Sequence, residues 1–217
     1  MELVEVYLKL LDEYGPQGWW PMQHGFSPPE WEVCAGAILT QNTNWGNVEK
    51  ALARLKSGGI ISPEKTLGVH NEHLQEFVRP SGYYTQKARR LKLLAEYVSR
   101  FEPGSFRKGA DRDDLLAIHG IGPETADSIM LYAAGRKFFV VDGYTRRIFT
   151  RFGLIEEKWD YEKVRLFFEK KLPQDVNVYK EFHALIVRLG KHTCKSKPLC
   201  GACPISDSCM YPRKRKK

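Results

Sequence analysis

The sequence predicts an all-α fold, and three observations carry that expectation. Apolar residues recur at helical spacing in one segment after another, Gly and Pro breakers separate those segments, and the single β-like run, FFVVD, has no second strand to pair with. At 217 residues the chain can bury a full core, as one large domain or two small ones.

The elements follow in order. ELVEVYLKLLDEY sets its apolar residues on one helical face until Gly15 and Pro16 end it. After the loop GPQGWWPMQHGFSPPE, the stretch WEVCAGAILTQNTNWGNVEKALARLK reads as a buried helix, a polar interruption and a second helix. TQKARRLKLLAEYVSRF is amphipathic and strongly basic at its start, and RDDLLAIHGIGPETADSIMLYAAG reads as helix, Gly-rich hairpin, helix. GYTRRIFTRFGL, YEKVRLFFEKKL and YKEFHALIVRLGKHT complete the helices. The tail PRKRKK could bind phosphate or act as a nuclear address, but a solvated, frayed end is the expectation.

Thirty-four Lys and Arg stand against 26 Asp and Glu, a formal charge of +8 that favours a polyanionic partner such as nucleic acid. An anionic membrane surface is the rival partner. No apolar run is long enough to cross a bilayer, and the start MELVEVYLKLLDEYG is acidic where a secretory leader would be basic. Both features predict a soluble, intracellular protein. Four of the five cysteines, Cys194, Cys200, Cys203 and Cys209, crowd together near the end of the chain. Such a tetrad in a reducing compartment more often holds a metal than a disulfide framework. Cys34, alone in an apolar stretch, reads as a small buried side chain.

Four motifs carry chemistry. In GIGPETADS the glycines Gly120 and Gly122 let backbone N–H groups approach a phosphate, a contact that reads DNA backbone rather than sequence, although a plain helix connection would look the same. Glu124 places a negative charge in the first turn of the following helix, where carboxylates are favourable by about 0.3–1 kcal/mol whatever else they do. The spacing C-x5-C-x2-C-x5-C can hold one tetrahedral zinc or one iron–sulfur cluster, and Lys195 and Lys197 inside the loop suit phosphate contacts as well as ordinary surface charge. Asp142, in VVDGYTRR, sits where a helix N-cap is expected, and a functional carboxylate would look no different locally. Trp19, Trp20, Trp45, Tyr83 and Tyr84 lie in or beside loops and suggest a flat apolar pocket, with core filling the default for any one of them. His119, His183 and His192 receive no role.

Taken together, LAIHGIGPETADSI, VVDGYTRRIFTRFG and the cysteine loop resemble, in order, the hairpin, catalytic aspartate and iron–sulfur loop of the helix-hairpin-helix DNA glycosylases of the endonuclease III superfamily. The resemblance runs from about Trp19 to Cys209. It implies a two-domain, all-α helix-hairpin-helix glycosylase fold with a C-terminal iron–sulfur loop: a central helical barrel over 27–135, and a second domain built from 1–26 and 136–217 with the cluster loop at 194–209. It implies a [4Fe–4S] cluster with zinc the alternative, damaged double-stranded DNA across a cleft with the lesion flipped into it, a monomer, and action on the nucleoid in the cytoplasm. Asp142 falls on the family's catalytic aspartate, Gly120 and Gly122 on its hairpin glycines, and Gln41 on a glutamine that fills the space left by the flipped base.

Departures narrow the activity. Glu124 stands where strand-cleaving members have lysine, and a carboxylate cannot form the Schiff base of the lyase step, so base removal alone is expected. Ala37 stands where the branch removing adenine has an acidic residue, and the mismatch branch typically has tyrosine at position 124. The remaining branch is similar to bacterial 3-methyladenine DNA glycosylase, sharing WWP (Trp19, Trp20, Pro21), LTQNT, RPSG and a GIG followed by glutamate, with Trp45 near the residue that stacks on the base. The first cysteine interval is one residue shorter than the usual endonuclease III spacing. A mismatch or oxidised-base glycosylase and a noncatalytic DNA-binding module are the alternatives.

Overall fold

A computed structural model describes residues 1–20, 23–102 and 104–211. Among these residues every regular element is helical. Contacts divide the chain into two compact units, Met1–Trp19 with Lys137–Lys217, and Trp20–Arg136.

The unit Trp20–Arg136 is organised around α2 (Pro29–Leu39), whose residues Trp31 to Leu39 are all buried. It packs against α3 (Trp45–Ser57), α6 (Tyr84–Val98), α9 (Pro123–Ser128) and the π-helical turn Ile129–Ala133. Two charged groups are sealed inside. Glu32, 1% exposed, accepts from the backbone N–H groups of Gln23 and His24 at 2.8 and 3.1 Å and lies 2.9 Å from His24 Nδ1, so it organises the loop entering α2. Burial alone would raise this carboxyl; His24 and the backbone donors outweigh it and hold it below the usual range. Lys87, also 1% exposed, donates from Nζ to the carbonyls of Leu39 and Ser81 at 2.8 and 2.7 Å, tying the end of α2 to α6. The sequence shows Lys87 only as part of a basic helix start, yet desolvation lowers it to about 8. Three short helices, α4 (Pro63–Gly68), α5 (Asn71–Val78) and α7 (Phe106–Gly109), escape the periodicity argument because none is longer than eight residues. The hairpin itself joins α8 (Arg112–Ala117) to α9, and Arg112 braces it with a two-pronged ion pair to the fully buried Asp127 at 2.6 and 3.2 Å.

The other unit packs α1 (Leu3–Tyr14), α10 (Gly143–Phe152), α11 (Tyr161–Lys171) and α12 (Val176–His192) around an aromatic core. Phe139 stacks on Phe168 with centroids 4.5 Å apart, and Phe149 and Phe182 meet them edge-on or tilted. The β-like FFVVD is not a strand. Its backbone is satisfied by side chains instead: Phe139 N–H donates to Glu169 at 2.9 Å and Val141 N–H to the Tyr161 hydroxyl at 3.4 Å. Gly190 on α12 faces Tyr144 on α10, where a Cβ would lie 2.4 Å from the ring, so only glycine allows this approach of the two helices. No helix among the described residues is long and apolar enough to cross a membrane.

Candidate functional site

The start of α10 presents Asp142. Its Oδ1 accepts from the Thr145 N–H at 2.7 Å and the Thr145 hydroxyl at 2.8 Å, the geometry of an N-cap. The second oxygen is left over from capping: Oδ2 lies 3.7 Å from His183 Nε2 on α12. His183 is two turns before Gly190 and so on the same face of α12 as the close approach to α10. Burial leaves the Asp142 side chain 13% exposed and would by itself raise its carboxyl. His183 and the two Thr145 donors outweigh burial, so Asp142 is held below the usual carboxylate range and is ionised at neutral pH. Trp19 packs edge-on to His183 with centroids 6.1 Å apart. Sequence reasoning passed over His183; no local signal marks it, because its meaning comes from the helix crossing.

In the unit Trp20–Arg136 the aromatic residues converge. Trp20 lies on α2 at Gly36, where a Cβ would come within 2.9 Å of the indole. Trp45 and Tyr132 each approach Trp20 with centroids 5.2 Å apart, Trp45 nearly perpendicular and Tyr132 tilted. Tyr132 is the member the sequence did not suggest; it comes from the π-helical turn after α9. Pro21 lies outside the described residues. Trp19 belongs to the other unit and is part of the Asp142 group. Tyr83 is 63% exposed and, with φ +46°, holds a left-handed backbone that is strained for an aromatic residue. Tyr84 instead enters α6 beneath Arg79, 5.2 Å from the guanidinium carbon.

The hairpin glycines differ from each other. Gly120 has φ +87°, and a Cβ there would strike Arg90 Nε at 2.2 Å, so both backbone and space demand glycine. Gly122 has an ordinary φ of −93° and nothing within 4 Å of its would-be Cβ, which leaves its outer side open to an approaching anion. Gln41 donates from Nε2 to the Gly120 carbonyl and Thr125 Oγ1, at 3.1 and 3.0 Å. Glu124 is exposed in the first turn of α9 and does not cap it, since Gly122 occupies the cap position.

Cys194, Cys200, Cys203 and Cys209 are free thiols that line one small pocket together with Arg151, Leu199 and Tyr211. Arg151 points Nη1 at Cys194 Sγ, 3.5 Å away, and holds the loop through the carbonyls of Lys195 and Ser196; Arg147 donates to the Cys194 and Gly190 carbonyls at 2.9 Å each. Burial pushes the Cys203 thiol up to about 11, and the other three thiols push the same way, a repulsion that bound cationic metal would reverse. Among the described residues no three His, Cys, Asp or Glu side chains converge as ligands of a single metal ion. Lys195 and Lys197 are exposed on the same loop, and Cys34 is fully buried in α2.

The chain is similar to several known proteins. Residues 35–174 match the model of the HhH-GPD superfamily base excision DNA repair protein family. Over 215 residues the chain is 45% identical to "Putative DNA repair glycosylase MJ1434" of Methanocaldococcus jannaschii, covering 96% of each chain. It is 29% identical over 177 residues to endonuclease III of Sulfolobus acidocaldarius, covering 80% of this chain and 78% of that one. Among solved structures, Helicobacter pylori 3-methyladenine DNA glycosylase (MagIII) bound to 1,N6-ethenoadenine superposes with a TM-score of 0.75 at 32% identity, covering 88% of this chain and 98% of the other. A trapped endonuclease III–DNA covalent intermediate shares the fold, with a TM-score of 0.84 at 22% identity over 99% and 97% of the two chains. The chain belongs to the HhH-GPD superfamily of base excision DNA repair proteins and is a DNA glycosylase, a hydrolase of N-glycosyl bonds.

Proposed function

We propose that the protein is a monofunctional glycosylase that excises alkylated purines of the 3-methyladenine type from damaged double-stranded DNA, acting as a monomer in the cytoplasm. The observation that carries this reading is the aromatic group of Trp20, Trp45 and Tyr132. Alkylation at N3 or N7 makes a purine cationic, and aromatic faces attract such a base by about 0.5–2 kcal/mol over a neutral one. The cation also leaves as a neutral base without a strong general acid. Fittingly, the place on α2 where adenine-removing relatives carry that acid is Ala37, buried and inert. The 32% identity to MagIII, a protein named for 3-methyladenine and solved with 1,N6-ethenoadenine, supports a modified adenine as substrate.

The remaining residues take roles consistent with this chemistry. Asp142 keeps one carboxylate oxygen free of the cap, which would stabilise positive charge on the sugar as the base departs and help water attack C1′. Gly120 and Gly122 shape the turn that grips phosphate, Lys195 and Lys197 offer phosphate contacts of their own, and Gln41 fills the vacated space in the duplex. Pro21 follows the base-binding tryptophan in sequence and is assigned to the pocket with it, whereas Trp19 stays with His183 and Asp142. Glu124 takes the place of the lyase lysine and leaves the strand uncut. The four cysteines, thiol donors around one cavity, suit a [4Fe–4S] cluster, whose charge would hold them as thiolates and order the lysine-bearing loop.

The test is chromatographic identification of the free base released from methylated duplex DNA at low salt, where phosphate contacts are strongest. Release of 3-methyladenine from strands that stay intact until alkali treatment is the expected result. No methylpurine, with thymine, uracil or an oxidised purine released instead, would overturn the substrate assignment; tight binding without any turnover would leave a DNA-binding module.

A further inference from the structure

The amide of Gln41 is held by three elements of its own unit. Arg90 of α6 donates from Nη1 to Oε1 at 2.6 Å, while Nε2 donates to the Gly120 carbonyl and to Thr125 Oγ1 of α9. These partners decide which end of the amide is which. A guanidinium can only donate and a peptide carbonyl can only accept, so a flipped amide would set donor against donor at Arg90 and acceptor against acceptor at Gly120. Arg90 is itself seated. Its Nε and Cδ lie 2.2 and 2.8 Å from where a Cβ at position 120 would be, and Nη2 reaches Gln86 Oε1 at 3.3 Å. An amide has two N–H donors and two acceptor lone pairs on oxygen. Here both N–H groups are used within the protein, and one lone pair of Oε1 remains on a half-buried side chain.

We propose that Arg90 is a specificity-determining residue: by fixing the orientation of the Gln41 amide, it makes Gln41 an acceptor-only probe of the base opposite the lesion. The inference rests on the reading of Gln41 as the side chain that enters the space left by the flipped nucleotide. The orphaned base then meets a carbonyl oxygen. Thymine and guanine carry an N–H at the centre of the pairing edge and gain a hydrogen bond. Adenine and cytosine carry an acceptor nitrogen there, which repels the carbonyl oxygen, and offer it only the amino group to one side. The enzyme therefore prefers thymine and guanine opposite the lesion.

The experiment uses the full chain and a duplex with a tetrahydrofuran abasic analogue opposite each of the four bases, so that the identity of the excised base plays no part. Dissociation constants are read at one fixed salt concentration, because phosphate contacts would otherwise dominate the comparison. Wild-type protein should bind opposite thymine and guanine about five- to tenfold more tightly than opposite adenine and cytosine, the size of one hydrogen bond. Arg90→Met keeps the stem over Gly120 but no donor, and should erase the spread; Arg90→Lys should restore part of it. Thr125→Val frees one N–H of Gln41 with Arg90 in place, and should raise affinity opposite adenine and cytosine, so it carries the test if Arg90→Met folds poorly. Gln41→Ala separates the two levels of inference. If it leaves all four constants unchanged, the reading of Gln41 falls and the Arg90 role with it. If it weakens binding and removes the spread while Arg90→Met and Thr125→Val keep it, Gln41 stands and the Arg90 role is overturned. A wild-type protein with no spread overturns the acceptor-only assignment directly.

Discussion

Two helix starts in this molecule carry a carboxylate, and they use it in opposite ways. At α10, Asp142 is nearly enclosed, caps the helix with one oxygen through Thr145, and keeps the other facing His183. At α9, Glu124 is exposed in the first turn of the helix and leaves the cap position to Gly122. From sequence the two look alike, since each is an acidic residue just after an apolar run or a glycine turn. The difference shows that capping and catalysis are not competing explanations for an aspartate. Capping occupies one oxygen, pins the side chain and lowers its pKa, and these are the conditions a transition-state anion needs. A carboxylate in the first turn gains from the helix dipole but is not pinned by it.

The largest expected effect breaks the comparison at Asp142. Asp142→Asn keeps a side-chain oxygen for the Thr145 donors and so keeps the cap, while the charge is lost. Single-turnover base release should fall by at least about 10²–10³-fold, the scale seen when one preorganised electrostatic partner is removed. Affinity for lesion DNA and the thermal midpoint should stay close to wild type. Undiminished release would mean that Asp142 caps α10 and does nothing else.

A smaller effect sharpens the same point through pH. Because the folded-state pKa of Asp142 is depressed, its contribution to stability is present above the unfolded value of about 3.9 and disappears as pH falls through the folded value. The ionised form needed for catalysis follows the same folded value. Thr145→Val removes the hydroxyl donor but not the backbone N–H, so the acid limb of the rate profile should move to higher pH while the neutral plateau changes little. An unmoved acid limb would show that another group sets it.

The order of the longer helices and the three motifs are legible in the sequence because each is local: periodicity, glycine spacing and cysteine spacing are visible within about twenty residues. What the sequence hides depends on elements far apart in the chain. Lys87 looks like surface charge, and its burial exists only because α2 ends at Leu39 beside Ser81. His183 acquires meaning from the α10–α12 approach at Gly190, and Tyr132 from the π-helical turn that brings it to Trp20. Gly120 is legible as a turn glycine, but its second requirement, room for Arg90, is not. The strand-like FFVVD misleads because β-propensity describes side chains that pack well, whereas the backbone donors there are taken by Glu169 and Tyr161.

The smallest effect tests the other half of the comparison. If Glu124 serves mainly as a favourable charge at the start of α9, Glu124→Gln should cost about 0.3–1 kcal/mol of stability, a loss that shrinks as salt is raised, and should change base release less than Asp142→Asn does. Glu124→Lys asks whether the position also matches that of the lyase residue. The exposed lysine meets an unfavourable dipole and lacks the desolvation that would lower its pKa, so only weak chemistry is expected: a small yield of borohydride-trappable adduct on lesion DNA, with slow strand cleavage. A trappable adduct would put the α9 start within reach of C1′. Complete absence of adduct, with base release intact, would restrict Glu124 to the helix dipole and leave Asp142 as the sole carboxylate of the reaction.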